Sequence, residues 1–309
     1  MGLDPLPGCG RVRPAESAAR LSELSRALRE QTGLDIVTLR PARGGESATV
    51  FWGVGRAGSV SVVKVWPEVP GAADRLRALP TVTARLRERG YPAPRIHAVG
   101  QAPGLVFWVQ ERLPGTPLDP GPGPVAVARL LPELIRLNDA QAGLGTGPGG
   151  WPGLLTGTLT TGGDGYCVHS TLRARPDTRE LLAVVRRIGE RCGPAVPAGR
   201  DFVHYDFTPA NLLSDGTSIT GVIDVNPPLL AGDRAFDLAT LLFYCYDHDE
   251  VRERLHARLL ELASPAATRA YLAHLVLRQV DWSLRFHPDT PATRRHLRLA
   301  RLVIADIES

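Results

Sequence analysis

The chain has 309 residues and a mass of 33.3 kDa, with 43% hydrophobic and 22% charged residues. This composition excludes a disordered chain and fits one large domain or two lobes. The net charge is only +4 and the arginines are scattered, which disfavours a nucleic-acid binder. The four cysteines have no CxxC spacing, so a zinc site or disulfide framework is not expected. No membrane span or signal peptide is recognisable, and we expect a cytoplasmic protein.

The first part of the chain combines two helical stretches with several β-rich runs. Apolar residues at helical spacing predict a helix over 15–31, and a second helix over 72–90 is expected to kink or split at Pro80. Hairpin turns, one of them at Gly44-Gly45, separate the first three β-rich runs. The five predicted strands are 35–41, 47–54, 59–66, 95–99 and 105–111.

The remainder of the chain is mainly helical by its periodicity. The predicted helices are 123–141, 177–191, 234–245, 249–263, 266–285 and 291–307. The glycine-dense stretch 143–165 is predicted to be a mobile surface loop. A second glycine-rich stretch, 201–232, should hold two short strands at 211–214 and 218–224. We therefore expect a small mixed β lobe, a connector near 110–116 and a larger α lobe.

Lys64 is the single lysine among 36 basic residues, and it lies in the third β-rich run. In a chain that has replaced lysine by arginine almost everywhere, a surviving lysine indicates a place that needs a compact ammonium group. The alternative is that its survival is due to chance.

The residues most suggestive of chemistry are Asp206, Asn211 and Asp224. Asp206 precedes Asn211 by five residues in a loop, and Asp224 follows 13 residues later at the end of an apolar strand. Phosphoryl transfer needs a carboxylate at the acceptor hydroxyl and oxygen ligands for Mg²⁺ on the nucleotide phosphates. The alternative is that Asp and Asn serve here only as turn residues.

The run 202–242 resembles the signature of the aminoglycoside phosphotransferase and choline kinase family, relatives of the protein kinases. It contains His-x-Asp-x-x-x-x-Asn, then Ile-Asp, then Gly-Asp-x-x-x-Asp-Leu-Ala. The resemblance implies an α+β, bilobal protein-kinase-like fold, with a small antiparallel β lobe carrying a helix and a larger, mainly α-helical lobe. Residues 1–110 would form the nucleotide-binding lobe and 111–309 the catalytic and substrate-binding lobe, with a hinge at about 109–115.

The same resemblance assigns roles to individual positions. Asp206 would be the catalytic aspartate beside the substrate hydroxyl, and Asn211 and Asp224 would be the Mg²⁺ ligands. His204 and Asp237 would brace the catalytic loop, Asp237 by accepting backbone N–H bonds.

In the first lobe the resemblance is weaker. Ser47 lies in a segment that matches the nucleotide-positioning loop, and Lys64 falls where the fold places its phosphate-binding lysine. The backbone of Glu111 and Leu113 would pair with the nucleobase edge. One departure concerns the glutamate that such folds pair with the lysine: residues 75–87 contain no acid, and Asp74 and Glu88 are the nearest candidates.

These features favour a phosphotransferase that acts on an alcohol group of a small molecule, with ATP or GTP and Mg²⁺ as cofactors. Only 12 residues separate Asp224 from Asp237, too few for the activation segment of a protein kinase. An antibiotic is the favoured acceptor, whether an aminoglycoside, macrolide, nucleoside or peptide. The alternatives are a metabolic kinase for a sugar, choline or amino alcohol, and a non-catalytic nucleotide-binding module. No nucleic-acid or membrane partner is expected.

Overall fold

The computed structural model describes residues 17–42, 49–68, 72–119, 123–146, 149–163, 165–225 and 231–308. These divide into two compact units, of which the first ends at Pro114 and the second begins at Gly115. Ser47 and the turn predicted at Gly44-Gly45 lie outside the described residues. Within the described part of the chain, no helix combines the length and the apolar character that crossing a membrane requires.

The smaller unit is built on one antiparallel sheet of five strands in the order β1-β2-β3-β5-β4. The strands are β1 (Ile36–Pro41), β2 (Thr49–Gly55), β3 (Val60–Pro67), β4 (Ile96–Ala102) and β5 (Leu105–Glu111). Helix α1 (Ser17–Thr32) turns Leu24 and Leu28 into a core that includes Val63 and Phe107. The predicted helix and all five predicted strands of this unit are therefore confirmed to within a few residues.

The predicted helix over 72–90 is split, as expected, into α2 (Ala72–Arg77) and α3 (Leu79–Glu88). The break is at Ala78, so that Pro80 lies in the first turn of α3, where its missing N–H costs no helical hydrogen bond. Leu79, Val82 and Leu86 of α3 are buried.

The larger unit combines a short three-stranded antiparallel sheet with eight helices among the described residues. The strands are β6 (Thr116–Pro117), β7 (Leu212–Ser214) and β8 (Ile219–Val222). The helices are α4 (Gly123–Ala140), α5 (Trp151–Thr161), α6 (His169–Arg173), α7 (Pro176–Cys192), α8 (Ala235–Tyr244), α9 (Asp249–Leu262), α10 (Pro265–Phe286) and α11 (Pro291–Glu308). Helix α10 is largely buried because α5, α7, α8 and α11 all pack against it.

The prediction of a surface loop over 143–165 is wrong, because α5 occupies much of that stretch. Trp151, Leu155 and Leu159 recur every four residues and are buried on one face of the helix. Gly189 of α7 lets the two helices approach closely, since a Cβ added there would lie 2.6 Å from the Leu159 Cβ. Tertiary packing thus outweighs the low helix propensity of the glycines.

Candidate active site

The loop that carries Asp206 runs through the larger unit from residue 201 to a single 3-10 turn, Pro209–Asn211, which leads into β7. Its backbone is held from α8, where the buried Asp237 carboxylate accepts the His204 N–H at 2.7 Å and the Tyr205 N–H at 2.9 Å. The structure thus contains the backbone hydrogen bonds that the family resemblance implied for Asp237.

Burial dominates the electrostatics of Asp237. It raises the pKa of this carboxyl to about 7, although the N–H bonds from His204, Gln141 and Tyr205, which favour the charged form, oppose the shift. Gln141 donates to Asp237 Oδ2 at 2.7 Å and in turn accepts from Asn138 Nδ2 at 2.7 Å. The brace is therefore itself anchored by buried side chains of α4 and the turn after it.

His204 adds a second link to the loop. Its Nε2 lies 2.8 Å from the carbonyl oxygen of Ile223, and because a carbonyl can only accept, Nε2 carries the proton. Ile223 also donates its N–H to the Asn211 carbonyl oxygen at 3.0 Å. These two bonds fix Ile223, the residue before Asp224, against both ends of the loop.

Asp206 and Asn211 are in direct contact. The Asn211 Nδ2 group donates to the backbone oxygen of Asp206 at 2.9 Å and to Asp206 Oδ2 at 2.8 Å. Because the NH₂ end of the amide is committed to Asp206, its oxygen Oδ1 is the end left to accept a donor or to bind a cation. This is the end that a hard cation such as Mg²⁺ requires.

Asp224 follows β8 and is solvent-exposed. Its φ of 67° lies in the left-handed region, which costs free energy for any residue with a side chain and is common at functional positions. Carboxylate and amide oxygens are donors that Mg²⁺ accepts, so the side-chain chemistry of Asp224 and Asn211 fits this ion.

Tyr205, the residue before Asp206, also has a positive φ, of 70°. Its ring is stacked on Phe236 at a centroid distance of 5.2 Å and an angle of 11°. Its hydroxyl donates to the Tyr166 hydroxyl at 2.7 Å and lies 3.3 Å from His274 Nε2. Contacts on the ring, the hydroxyl and the N–H together hold Tyr205 in a conformation that the chain alone would not favour.

Arg278 of α10 is a residue of this site that the sequence did not reveal. Its guanidinium donates to Asp206 Oδ1 and to the Tyr205 carbonyl oxygen, and it lies 4.5 Å from the centroid of the Tyr205 ring. The spacing of the motif gives no sign of it, because Arg278 is 72 residues away in the chain.

In the smaller unit, Lys64 lies on β3 opposite Trp108 of β5 and is only 5% exposed. Its Nζ atom is 5.6 Å from the centroid of the Trp108 ring. Of the two acids nearest the expected glutamate position, Asp74 is exposed and paired with Arg77 of its own helix, and Glu88 is exposed.

Glu111 ends β5 and serves as a structural anchor. Its side chain accepts from Arg87 at 2.5 Å and from the Arg95 N–H at 2.7 Å, and its own N–H donates to the Arg95 carbonyl oxygen at 3.0 Å. The backbone N–H of Glu111 is therefore already committed to Arg95. Leu113 follows in the irregular segment after the strand and is half-buried.

The structure contains a small antiparallel sheet unit, a mainly helical unit and a loop that joins Asp206 to Asn211. Together these features define a protein of the kinase-like phosphotransferase class. The model of the phosphotransferase enzyme family matches residues 38–275, and the chain therefore belongs to that family. The predictions of the family, of the fold class and of a phosphotransferase are confirmed.

Individual relatives are more distant. The hygromycin-B 4-O-kinase of Escherichia coli is 28% identical over 216 residues, which span 62% of this chain and 60% of that protein. Among solved structures, amicoumacin kinase hAmiN in complex with AMP-PNP, Ca²⁺ and Ami has a TM-score of 0.63 at 11% identity, covering 95% of this chain and 96% of that one. Aminoglycoside phosphotransferase APH(3'')-Id from Streptomyces rimosus ATCC10970 has a TM-score of 0.56 at 20% identity, covering 82% and 97%. At these identities the structural matches establish the fold alone.

Proposed function

We propose that the protein is a Mg²⁺-nucleotide-dependent O-phosphotransferase that transfers the γ-phosphoryl group of ATP or GTP to a hydroxyl of a small molecule, with an antibiotic as the favoured acceptor. The observation that carries the proposal is the contact between Asp206 and Asn211. Its two hydrogen bonds hold a carboxylate and an amide side by side on one braced loop.

In this proposal Asp206 accepts the hydrogen bond of the acceptor hydroxyl and orients its oxygen for attack on the phosphorus. Asn211 Oδ1 and the Asp224 carboxylate would hold the Mg²⁺ ion, which when bound would neutralise charge on the nucleotide phosphates. The chain's own contribution is positioning, since phosphoryl transfer requires little covalent chemistry from the protein.

The nucleotide contacts are proposed for the smaller unit. Lys64 would place its ammonium group on the phosphates, and its burial against Trp108 limits the positions that the group can reach. The Glu111 carbonyl and the Leu113 N–H would pair with the nucleobase edge. Ser47 would contact the phosphates.

The acidic residues between 224 and 250 do not favour a strongly cationic acceptor. Asp233 and Asp237 are buried, and Asp247 pairs with Arg295 and Arg298. The two acids that follow are also paired with arginines of α9. With Asp224 assigned to the metal, the other acids of this stretch offer little negative charge to a polycation. We therefore place antibiotics of low charge beside hygromycin B and other aminoglycosides as candidate acceptors.

The test is a pooled transfer assay read by mass spectrometry. The protein is incubated with Mg²⁺ and ATP or GTP, and with hygromycin B, streptomycin, macrolide, nucleoside and peptide antibiotics, choline and simple sugars. Asp206→Ala is the control. We expect one antibiotic to gain the mass of a phosphoryl group with the native protein and not with the control.

Two other outcomes would contradict parts of the proposal. Phosphorylation of choline or a sugar alone would make the protein a metabolic kinase. Tight binding of Mg·ATP without transfer to any acceptor or to water would favour a non-catalytic nucleotide-binding module.

A further inference from the structure

The guanidinium group of Arg278 contacts two successive residues of the catalytic loop, the segment 201–211 that carries Asp206. One nitrogen donates to the Tyr205 carbonyl oxygen and another to Asp206 Oδ1, while the planar group lies over the Tyr205 ring. The Arg278 side chain is 15% exposed and the Asp206 side chain 36%. The pair therefore lies at the border between the buried part of the unit and solvent, where a carboxylate can reach a substrate.

Arg278 and Asn211 donate hydrogen bonds to different oxygens of the Asp206 carboxylate. Arg278 donates to Oδ1, and Asn211 Nδ2 donates to Oδ2 at 2.8 Å. Each carboxylate oxygen can accept more than one hydrogen bond, so both retain capacity for an acceptor hydroxyl. With one donor on each oxygen, the carboxylate cannot rotate without breaking a charge-assisted bond.

The same guanidinium also secures the strained residue next to Asp206. Tyr205 has a φ of 70°, and its N–H is already held by Asp237. Arg278 binds the carbonyl at the other end of this residue, so that both of its backbone polar groups have fixed partners. A lysine could supply the charge, but it lacks the planar fork that reaches both oxygens while stacking on the ring.

We propose that Arg278 is a positioning residue that holds the Asp206 carboxylate in the orientation needed for phosphoryl transfer, an inference that rests on the proposed function. It acts through Asp206 and the Tyr205 carbonyl. Its loss should lower kcat and leave the affinity for Mg·ATP unchanged.

The experiment compares Arg278→Ala, Arg278→Gln and Arg278→Lys with a matched variant, Arg285→Ala. Arg285 lies two turns further along α10 and forms a similar two-bond pair with the buried Asp281. It also donates to the Gly165 carbonyl oxygen at 3.1 Å, which lies outside the catalytic loop. Each variant is assayed for acceptor-free hydrolysis of Mg·ATP, for transfer to the acceptor found above, for the Kd of Mg·ATP and for Tm. Arg278→Ala is assayed again with millimolar guanidinium added.

We expect Arg278→Ala and Arg278→Gln to lower kcat by about 10²-fold, the size expected for a displaced catalytic group. Arg278→Lys should fall between these variants and the native protein. Added guanidinium should restore part of the rate of Arg278→Ala and none of any rate lost by Arg285→Ala. Arg285→Ala should lower Tm while keeping the native kcat at a temperature where it is folded.

Native kcat in folded Arg278→Ala would overturn the inference and leave the proposed function intact. The inference would also be overturned if added guanidinium restores no activity and the loss of kcat parallels the loss of Tm equally in Arg278→Ala and Arg285→Ala. That result would show that Arg278 only stabilises the fold. By contrast, absence of phosphoryl transfer by the native protein to every acceptor and to water would contradict the proposed function, and the inference with it.

Discussion

Replacing the buried Asp237 by asparagine changes one of the two carboxylate oxygens that hold the catalytic loop, and so tests how much these hydrogen bonds contribute. Asp237 Oδ1 accepts the Tyr205 N–H at 2.9 Å, and Oδ2 accepts the His204 N–H and Gln141 Nε2, both at 2.7 Å. All three partners are donors. Asp237→Asn keeps the shape of the side chain but replaces one acceptor oxygen by an NH₂ donor. The new NH₂ group must then face the N–H group of a partner that also donates.

The magnitude follows from the cheaper of the two amide orientations. With its NH₂ group on the Oδ1 side, the new side chain leaves only the Tyr205 N–H without an acceptor, at a cost of about 1–3 kcal/mol. The bonds from His204 and Gln141 also lose their charge assistance, while the cost of burying a carboxylate disappears. We expect Asp237→Asn to lower the free energy of unfolding by about 2–4 kcal/mol, which a domain of ordinary stability survives.

Asp233→Asn is the matched control. Asp233 is also buried before α8, but it accepts the Ala235 N–H at 2.9 Å and the Tyr271 hydroxyl at 2.5 Å. The Tyr271 hydroxyl can rotate and accept from an introduced amide, whereas a backbone N–H cannot change roles. Asp233→Asn should therefore cost less than about 1 kcal/mol.

Urea denaturation followed by far-UV circular dichroism measures both costs, and the phosphoryl-transfer assay measures kcat at a temperature where both variants are folded. Asp237→Asn should lose activity because the residues it releases directly precede Asp206. Equal destabilisation by the two variants, or native kcat in Asp237→Asn, would refute this reasoning.

Three further predictions concern other parts of the chain. Burial lowers the pKa of His274 to about 3, so below its unfolded pKa of about 6.5 the unfolded state gains a proton that the folded state does not. The free energy of unfolding, measured by urea denaturation, should therefore fall more steeply with decreasing pH in the native protein than in His274→Gln. The difference should reach about 1.4 kcal/mol per pH unit between about pH 6.5 and 3, and equal slopes would contradict the shift. Gly199→Ala should lower the free energy of unfolding by at least about 3 kcal/mol, because its Cβ would meet the Gly232 carbonyl oxygen at 1.9 Å. Gly143→Ala has a similar positive φ but open space around its Cβ, and should lower it by about 1–2 kcal/mol. Similar melting temperatures of the two variants would contradict this difference. Lys64→Arg should weaken Mg·ATP binding by about 10-fold in a fluorescence titration, because the guanidinium is larger and differently hydrated, and an unchanged Kd would argue against a phosphate contact.

Much of the fold could be predicted because its elements carry local signals. Helical spacing of apolar residues predicted α1, α4 and α7–α11, and glycine turns separated the strands of the smaller unit. Helix α5 was missed because its glycines argue against a helix, and only its packing against α7 and α10 outweighs them. The four-residue spacing of Trp151, Leu155 and Leu159 was the signal that could have revealed it.

The residues of the candidate site also differ in how far the sequence could reveal them. Asp206 and Asn211 are five residues apart, so their contact is local and the sequence could indicate it. Arg278 reaches the loop from a helix 72 residues away, and the chain is rich in arginines that carry no such role. Long-range partners of this kind depend on how helices pack, which no single sequence pattern specifies.

We propose that Asp206 acts on the acceptor hydroxyl and takes no part in binding the nucleotide. The test measures the Kd of Mg·ATP by calorimetry and the kcat of transfer on the same preparations of native protein and Asp206→Ala. We predict an unchanged Kd and a kcat lower by about 10²–10⁴-fold, the range typical of a general acid–base group. Retention of kcat in Asp206→Ala, or a loss of nucleotide affinity that accounts for the lost turnover, would contradict the claim.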